Sequence, residues 1–296
     1  MSSVRASPEA VLETQGSIAV TRTRGDTVRT SEMKLLFSEA RPNHGDYVYP
    51  YAIWAFPEPH ETPADVFDAG FLPSNHQLDR FYLCRQVRVD LKKFAPSSEN
   101  RRVLRKGEGI AAALVPRAEF EFTAERREFC LRYTQAKIPG MTPERLTSLF
   151  SNPVTTNVLV FREEASGREL GYVTLYHVPG RMAFYYYAFY DLAAPQPNLG
   201  MFMMTWTVRM LAESGCAHAY LGTCYSSVAL YKTQFAGVEF FNGHRWSTSL
   251  EELKHLLRRQ DDASARGHVL ESPEYRGAFL PEGLSVAAAR SRFGTL

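Results

Sequence analysis

RMAFYYYAFYDLAAPQPNLGMFMMTWTVRMLAESGCAHAYLGT, residues 181–223, contains three elements in succession. RMAFYYYAFYD is dense in aromatic side chains that favour a pleated, half-buried strand. In PNLGMFMMTWTVRMLAESG, Leu199, Phe202, Met203, Trp206, Met210 and Leu211 recur at helical spacing, and Gly215 supplies the stop. CAHAYLGT returns as a short strand. Upstream, TTNVLVFRE and ELGYVTLYHV lead into the aromatic strand through the turns ASG and PGR, the pattern of an antiparallel meander. Downstream, VALYKTQF reads as a short helix and GVEFFNGHRW as a last strand. SLEELKHLLRRQ reads as a helix capped by Ser247 or Ser249, and the tail from Asp261 has little period and is expected to lie extended along the surface.

Further upstream, MKLLFSEA and DYVYPYAIWAF predict edge strands interrupted by Pro50. TPADVFDAGF has the start and stop grammar of a short helix, from Thr62 to Gly70. RFYLCRQVRVDL predicts one strand with a buried and a charged face. SSENRRVLRKGEG predicts a helix capped by Ser97 or Ser98 and stopped at Gly107, with Arg101 and Arg105 one turn apart. TAERREFCLRYTQAKIPG and TPERLTSLF predict two more helices. The Ser-, Thr-, Arg- and Glu-rich residues 1–30 lack an apolar period and read as a loosely ordered arm. The expected organisation is that arm, a smaller α+β domain over 31–122, the principal domain over 123–262 and a tail over 263–296.

Strand, tight loop, long helix, strand, short helix, strand, following a meander, is the order of an acyl-CoA-type N-acyltransferase (GNAT-like) domain. The fold class is therefore α/β (α+β), with a mixed central sheet flanked by helices. A strand ending where a helix begins leaves unpaired backbone N–H groups and the positive end of a helix dipole, a ready site for a phosphate or a polarised carbonyl. Here that junction is Ala193–Gly200. PQPNLG has one glycine and no charge, unlike a coenzyme A pyrophosphate loop, so coenzyme A is disfavoured and no cofactor is expected.

Hydrophobic residues make up 45% and charged residues 22% of the 296, a soluble globular composition with no apolar run long enough to span a bilayer and no signal-peptide core. A cytoplasmic protein without a membrane partner is expected. Cys84, Cys130, Cys216 and Cys224 form no C-x-x-C pair, and the eight histidines form no metal-binding spacing, so neither a disulfide framework nor a metal is indicated. The net charge is only +2, yet Arg80–Lys106 holds nine Lys or Arg against two acids. That block is either a solvated face or an electrostatic footprint for phosphates.

Four ordered stretches resemble the aminoacyl-tRNA-protein transferase family, the arginyl- and leucyl-tRNA-protein transferases of the N-degron pathway. YAFYDLAAPQPNLGMFMMTW matches a tyrosine-rich strand ending in Tyr-Asp, then Leu-Gly opening a long helix. AYLGTCYSSVALYKTQFAGVEFFNGHRW matches Tyr-Leu-Gly, a short gap, Tyr-Lys, an aromatic turn and a final Arg-Trp. Gly70-Phe71 with Cys84-Arg85, and FAPSSENRRVLRK, match upstream, so the resemblance spans roughly residues 70 to 246. The chain departs from the family in lacking its N-terminal cysteine cluster, and with it an iron-sulfur or zinc regulatory site. The resemblance implies an enzyme that moves an arginine- or leucine-type amino acid from aminoacyl-tRNA to a protein or peptide N-terminus by direct aminolysis, with an acidic N-terminal residue as acceptor. An acyl-CoA-dependent N-acyltransferase and a catalytically inactive tRNA-binding relative are the alternatives.

Asp191, closing the aromatic strand, is the candidate to hold the acceptor ammonium and take its proton, with Tyr190 beside it; a turn or capping role would equally explain an Asp there. Tyr185, Tyr187 and Tyr190 alternate with Phe184, Tyr186 and Phe189, so one face is core and the other is free to stack on the terminal adenine or the acceptor. Gly200, Tyr225, Tyr231 and Lys232 are further substrate-binding candidates, Lys232 toward the terminal phosphate. Arg101, Arg102, Arg105 and Lys106 are the nucleic-acid-binding candidates, positioning the acceptor stem without reading sequence. Cys224 has no evident His partner, so no covalent thiol step is expected.

Overall fold

The computed structural model describes residues 33–45, 50–262, 265, 267–291 and 293. The arm expected over residues 1–30 lies outside them. The meander forms as β7 (Asn157–Glu163), β8 (Glu169–Val178) and β9 (Met182–Tyr190), paired antiparallel in sequence order. Gly167 and Gly180 supply the left-handed turn conformation at its two tips, with φ of +72° and +71°. The long helix α5 (Leu199–Glu213) ends at Gly215, also left-handed, and β10 (His218–Thr223) returns parallel to β9.

These strands belong to a mixed eight-stranded sheet. β6 (Ile110–Pro116) pairs with β7 at one edge. Beyond β10 lie β5 (Gln86–Asp90), β11 (Val238–Phe241) and β12 (Trp246–Ser247). One face of the sheet buries Leu159, Phe161, Val173 and Leu175 against Phe202, Met203 and Val208 of α5, with α2 (Ser98–Arg105) packed beside that helix. The other face buries Val158, Val160, Tyr172 and Phe189 under α3 (Ala124–Lys137) and α4 (Pro143–Ser151). Side chains of this size are worth about 1.5–3 kcal/mol each when fully buried. A second sheet has the order β1 (Lys34–Glu39), β2 (Tyr51–Phe56), β4 (Phe81–Leu83), β3 (Phe71–Pro73), and its core residues join those of α1 (Pro63–Asp68) and, from the large sheet, Tyr176, Phe184 and Tyr220.

Five local expectations are corrected. RFYLCRQVRVDL is two strands, β4 and β5, which part at Cys84–Arg85 and enter different sheets. Arg88 is not on a charged surface: it is 6% exposed, bonded to Asp68 at 2.6 Å and Glu239 at 2.8 Å, and lies 3.8 Å from the centroid of the Trp246 ring. Two carboxylates and an aromatic face compensate a charge that the alternating pattern assigns to solvent. VALYKTQF is a 3-10 turn over Ser227–Thr233, while GVEFFNGHRW is a hairpin, bent at Gly243 (φ +109°), and not one strand. The tail is not wholly extended: following α6 (Leu250–Asp261) come α7 (Pro273–Phe279) and α8 (Leu284–Ala289). Tyr275 of α7 is fully buried and donates its hydroxyl to Glu252 of α6 at 2.5 Å, a long-range tie that a local period cannot reveal.

Candidate active site

Strands β9 and β10 are paired only at His218↔Met182, Ala219↔Ala183 and Tyr220↔Phe184. β9 continues to Tyr190, whereas β10 shifts register against β5 between Tyr220 and Gly222, the latter at φ +81°. The two strands therefore diverge, and among the described residues the backbone edge of β9 beyond Phe184 has no strand partner on that side. A cavity of about 700 Å³ opens there, between the end of β9, the start of α5 and the 3-10 turn.

Four tyrosines from three elements line it: Tyr133 of α3, Tyr185 and Tyr190 of β9, and Tyr231 of the 3-10 turn. The Tyr133 and Tyr190 ring centroids are 4.8 Å apart. Burial pushes the Tyr133, Tyr185 and Tyr231 phenols up from their ordinary value, so at neutral pH they are hydrogen-bond donors. Asp191 stands at the rim. Its Oδ1 accepts the Ala193 N–H at 2.9 Å, the turn role a local reading assigns, while Oδ2 accepts Arg168 Nη1 at 2.8 Å.

The mouth of α5 faces the same space. Asn198 adopts the left-handed conformation (φ +61°) and makes no side-chain cap; its carbonyl accepts the N–H groups of Met201 and Phe202 at 2.9 and 3.0 Å. The N–H groups of Leu199 and Gly200 stand at the open end. At Gly200 a Cβ would lie 2.7 Å from Tyr190 Cε1 and 3.0 Å from its hydroxyl, so glycine there lets the Tyr190 ring lie against the helix backbone. Gln196 Oε1 is buried at the cavity wall without a partner, and Gln234 donates to the Tyr231 carbonyl at 3.0 Å. Among the described residues no Lys or Arg lines this cavity, and Asp191 is the only acid that does.

A smaller cavity of about 410 Å³ adjoins it, sharing Tyr133, Tyr190, Asp191 and Leu192 as a common wall, with Arg132, Arg168 and Glu169 on its own side. Burial by itself would raise the Glu169 carboxyl, but bonds from Arg126, Tyr172 and Arg162 hold it down at about 2.

The structure thus brings together Asp191, Tyr190, Gly200 and Tyr231, and separates the other candidates. Tyr187 lines neither cavity: a bulge opposite Thr174/Leu175 pairs Leu175 with Tyr185 and Thr174 with Tyr187, which leaves Tyr186 as the extra residue. Tyr185, Ala188 and Tyr190 then turn to the α5 face, while Tyr187 packs with Tyr186 and Phe189 at centroid distances of 4.7 and 6.2 Å. Tyr225 accepts the Arg85 N–H at 2.8 Å, under the Arg85 guanidinium, away from both cavities. Lys232 donates Nζ to the Thr223 carbonyl at 2.8 Å, and burial lowers its pKa; it braces the turn that presents Tyr231. None of Arg101, Arg102, Arg105 or Lys106 lines the Asp191 cavity. Arg101 donates to the Pro96 carbonyl, Arg102 pairs with Glu99, and Arg105 borders a third cavity beside Trp206 and Arg209. That cavity meets α5 through Phe202, Trp206 and Arg209, whereas the Asp191 cavity meets it through Gly200, Met201 and Met204.

Tyr133, Arg132, Arg168 and Gln234 lie far along the chain from the junction, and no sequence signal singles them out. Among the described residues no group of three or more His, Cys, Asp or Glu is placed to hold a metal ion, and no helix is long and apolar enough to cross a membrane.

No family model matches the chain. Among curated proteins it is similar to an aspartate/glutamate leucyltransferase from Rhodospirillum rubrum, 28% identical over 173 residues, which cover 55% of this chain and 68% of the relative. One from Chromobacterium violaceum is 28% identical over 183 residues (58% and 72%), and one from Pseudomonas fluorescens is 24% identical over 198 (62% and 82%). Among solved structures, L-PGS from Bacillus licheniformis overlaps 60% of this chain and 64% of its own at 12% identity and a TM-score of 0.37. A GCN5-related N-acetyltransferase from Kribbella flavida overlaps 47% of each chain at 14% identity and a TM-score of 0.28.

Proposed function

From the premise that this chain is a homologue of the aspartate/glutamate leucyltransferases, of the aminoacyl-tRNA-protein transferase family, we propose that it transfers leucine from leucyl-tRNA to the α-amino group of a protein N-terminus, and that the acceptor N-terminal residue is acidic. The observation that carries this reading is the divergence of β9 and β10 into a cavity where one carboxylate, four phenols and the first N–H groups of α5 converge. The aminoacyl end of the tRNA occupies that cavity with its ester carbonyl toward the Leu199 and Gly200 N–H groups, which would stabilise the oxygen as charge develops on it. Asp191 accepts a proton from the acceptor ammonium. The freed amine attacks the ester carbon, an N–C bond forms, the ester C–O bond breaks, and the departing ribose oxygen takes up the proton that the attacking nitrogen sheds on becoming an amide.

Leucine is favoured over arginine by the lining: Ala188, Met201, Met204 and Leu192 are apolar, and the only acid, Asp191, is already paired with Arg168. A buried guanidinium would lack an unengaged carboxylate partner there. The same lining lacks a cation for a pyrophosphate, which disfavours coenzyme A, and ester aminolysis needs no cofactor. The basic patch on α2 would contact tRNA outside the cavity.

The test is transfer of labelled leucine or arginine from the matching charged tRNA to peptides that differ in the N-terminal residue, with coenzyme A binding measured by calorimetry in parallel. Leucine transfer dependent on a free α-amine is expected. No transfer from any charged tRNA would overturn the proposal.

A further inference from the structure

The smaller cavity shares the Asp191 wall with the larger one, and neither the sequence motifs nor the proposed chemistry uses it. Two guanidinium groups, of Arg132 and Arg168, reach it. Arg132 is 63% exposed and only loosely paired, 3.6 Å from Glu128. Arg168 has one close partner, Asp191 Oδ2 at 2.8 Å, while its Nε lies 3.9 Å from Glu163. The other acid of the cavity, Glu169, is already engaged by Arg126, Arg162 and Tyr172, so its charge is compensated. Phe129 and Tyr133 complete an apolar floor. A site with two accessible guanidinium groups over apolar walls takes a small anionic group on a short apolar stem, because a carboxylate accepts from an Arg fork in a way no neutral amide can match.

We propose that this cavity holds the side-chain carboxylate of the acceptor's first residue, and that this carboxylate draws the Arg168 guanidinium from Asp191. The inference rests on the transfer reading above and adds to it a place and a coupling. In the structure each Asp191 oxygen already accepts a donor, Oδ2 from Arg168 Nη1 and Oδ1 from the Ala193 N–H, so neither stands open to an incoming ammonium. Once the acceptor's carboxylate occupies Arg168 and Arg132, Asp191 Oδ2 is released at the wall common to both cavities, where the acceptor's α-ammonium arrives. Its proton passes to Asp191, and no other reagent is needed. An acceptor without the carboxylate leaves the pair closed. Arg168 is accordingly a positioning residue: it couples acceptor choice to release of the base.

The experiment uses the full chain with labelled leucyl-tRNA and two peptides identical except for Glu or Gln at the N-terminus. Wild-type protein is expected to prefer the Glu peptide. Arg132→Ala should lower kcat/KM for that peptide by about tenfold or more, with little change for the Gln peptide. Arg168→Ala should do the same and in addition raise kcat for the Gln peptide, because Asp191 is no longer held; a merely structural arginine would lower both. Arg168→Lys serves as the conservative variant and should recover part of the preference, and circular dichroism checks that each variant folds. An unchanged Glu/Gln ratio in both alanine variants would overturn the inference. If wild-type protein transfers to no peptide, the transfer reading fails by itself, and calorimetry with the same peptides then judges the subsite: Glu-peptide binding that Arg168→Ala abolishes supports it, and equal binding of Glu and Gln peptides overturns it.

Discussion

The two flanks of α5 are built from similar material and serve different ends. Toward α2 the helix presents Phe202, which is 4% exposed and seated so closely on Gly107 that a Cβ there would lie 2.1 Å from its ring. Toward the diverging strands it presents Gly200, with the Tyr190 ring against it in the same manner, but that ring borders two cavities. In both places a glycine lets an aromatic ring lie on backbone. Phe202 is buried and borders only the cavity beside Trp206 and Arg209, whereas Tyr190 is half-buried and forms part of the wall between two cavities that share Asp191. The same contact thus serves a mostly buried ring on one flank and a dividing wall between cavities on the other, and the difference lies in how far each ring is buried and in the carboxylate beside Tyr190.

The largest expected effect separates the flanks by chemistry. Asp191→Asn keeps the Ala193 turn acceptor but removes the proton acceptor, and should lower kcat by about 10²–10⁴-fold while the melting temperature changes little. A variant with near-normal turnover would exclude Asp191 as base. The paired glycines come next. Gly107→Ala overpacks a core and should cost about 1–3 kcal/mol of stability, read by denaturant unfolding, with catalysis by the folded fraction retained. Gly200→Ala should be the milder change in stability and the larger in activity, because displacing Tyr190 disturbs a reacting geometry in which about 1 Å can be worth 10²-fold. If both variants lose stability equally and activity equally, the flanks do not differ as described.

Much of this was legible in the sequence, because the meander and α5 carry strong periods of two and 3.6 over many residues. Asp191 and Gly200 were legible for the same reason: they fall where one period yields to the other. Tyr187 was not, since a single bulge opposite Thr174 turns it from the cavity face, and a bulge is a property of the pairing with β8. Arg168 and Tyr133 lie in a hairpin tip and in the middle of α3, and only the fold carries them to Asp191. Arg88 shows the opposite failure, a residue whose alternation reads as surface because its compensating partners, Asp68 and Glu239, are distant in the chain.

A further contrast concerns the acids of the smaller cavity. Although burial acts to raise it, the Glu169 carboxyl is held at about 2, against an ordinary value of 4.5, by bonds from Arg126, Tyr172 and Arg162. A folded-state value below the unfolded one stabilises the protein above pH 4.5, and that contribution is lost as pH falls toward 2. Glu169→Gln should therefore melt below wild type at pH 7, and the gap should narrow as pH is lowered through that window. A gap that stays constant with pH would mean that Glu169 stabilises by shape and not by charge.

The smallest effect tests whether the outer flank touches nucleic acid at all. Arg102 already spends its charge on Glu99 at 2.6 Å, whereas among the described residues Arg105 and Lys106 make no such close ion pair. If the α2 patch contacts phosphates, Arg105→Ala and Lys106→Ala should each reduce the slope of log affinity for tRNA against log salt by about 1, and Arg102→Ala by less. Because these residues lie on the side of α5 turned from Asp191, kcat at saturating tRNA should stay unchanged in all three, so that the flanks separate again, binding on one and chemistry on the other. Should the salt slope not move, the basic block between Arg80 and Lys106 is a solvated face, and tRNA must be held by the rim of the cavity itself.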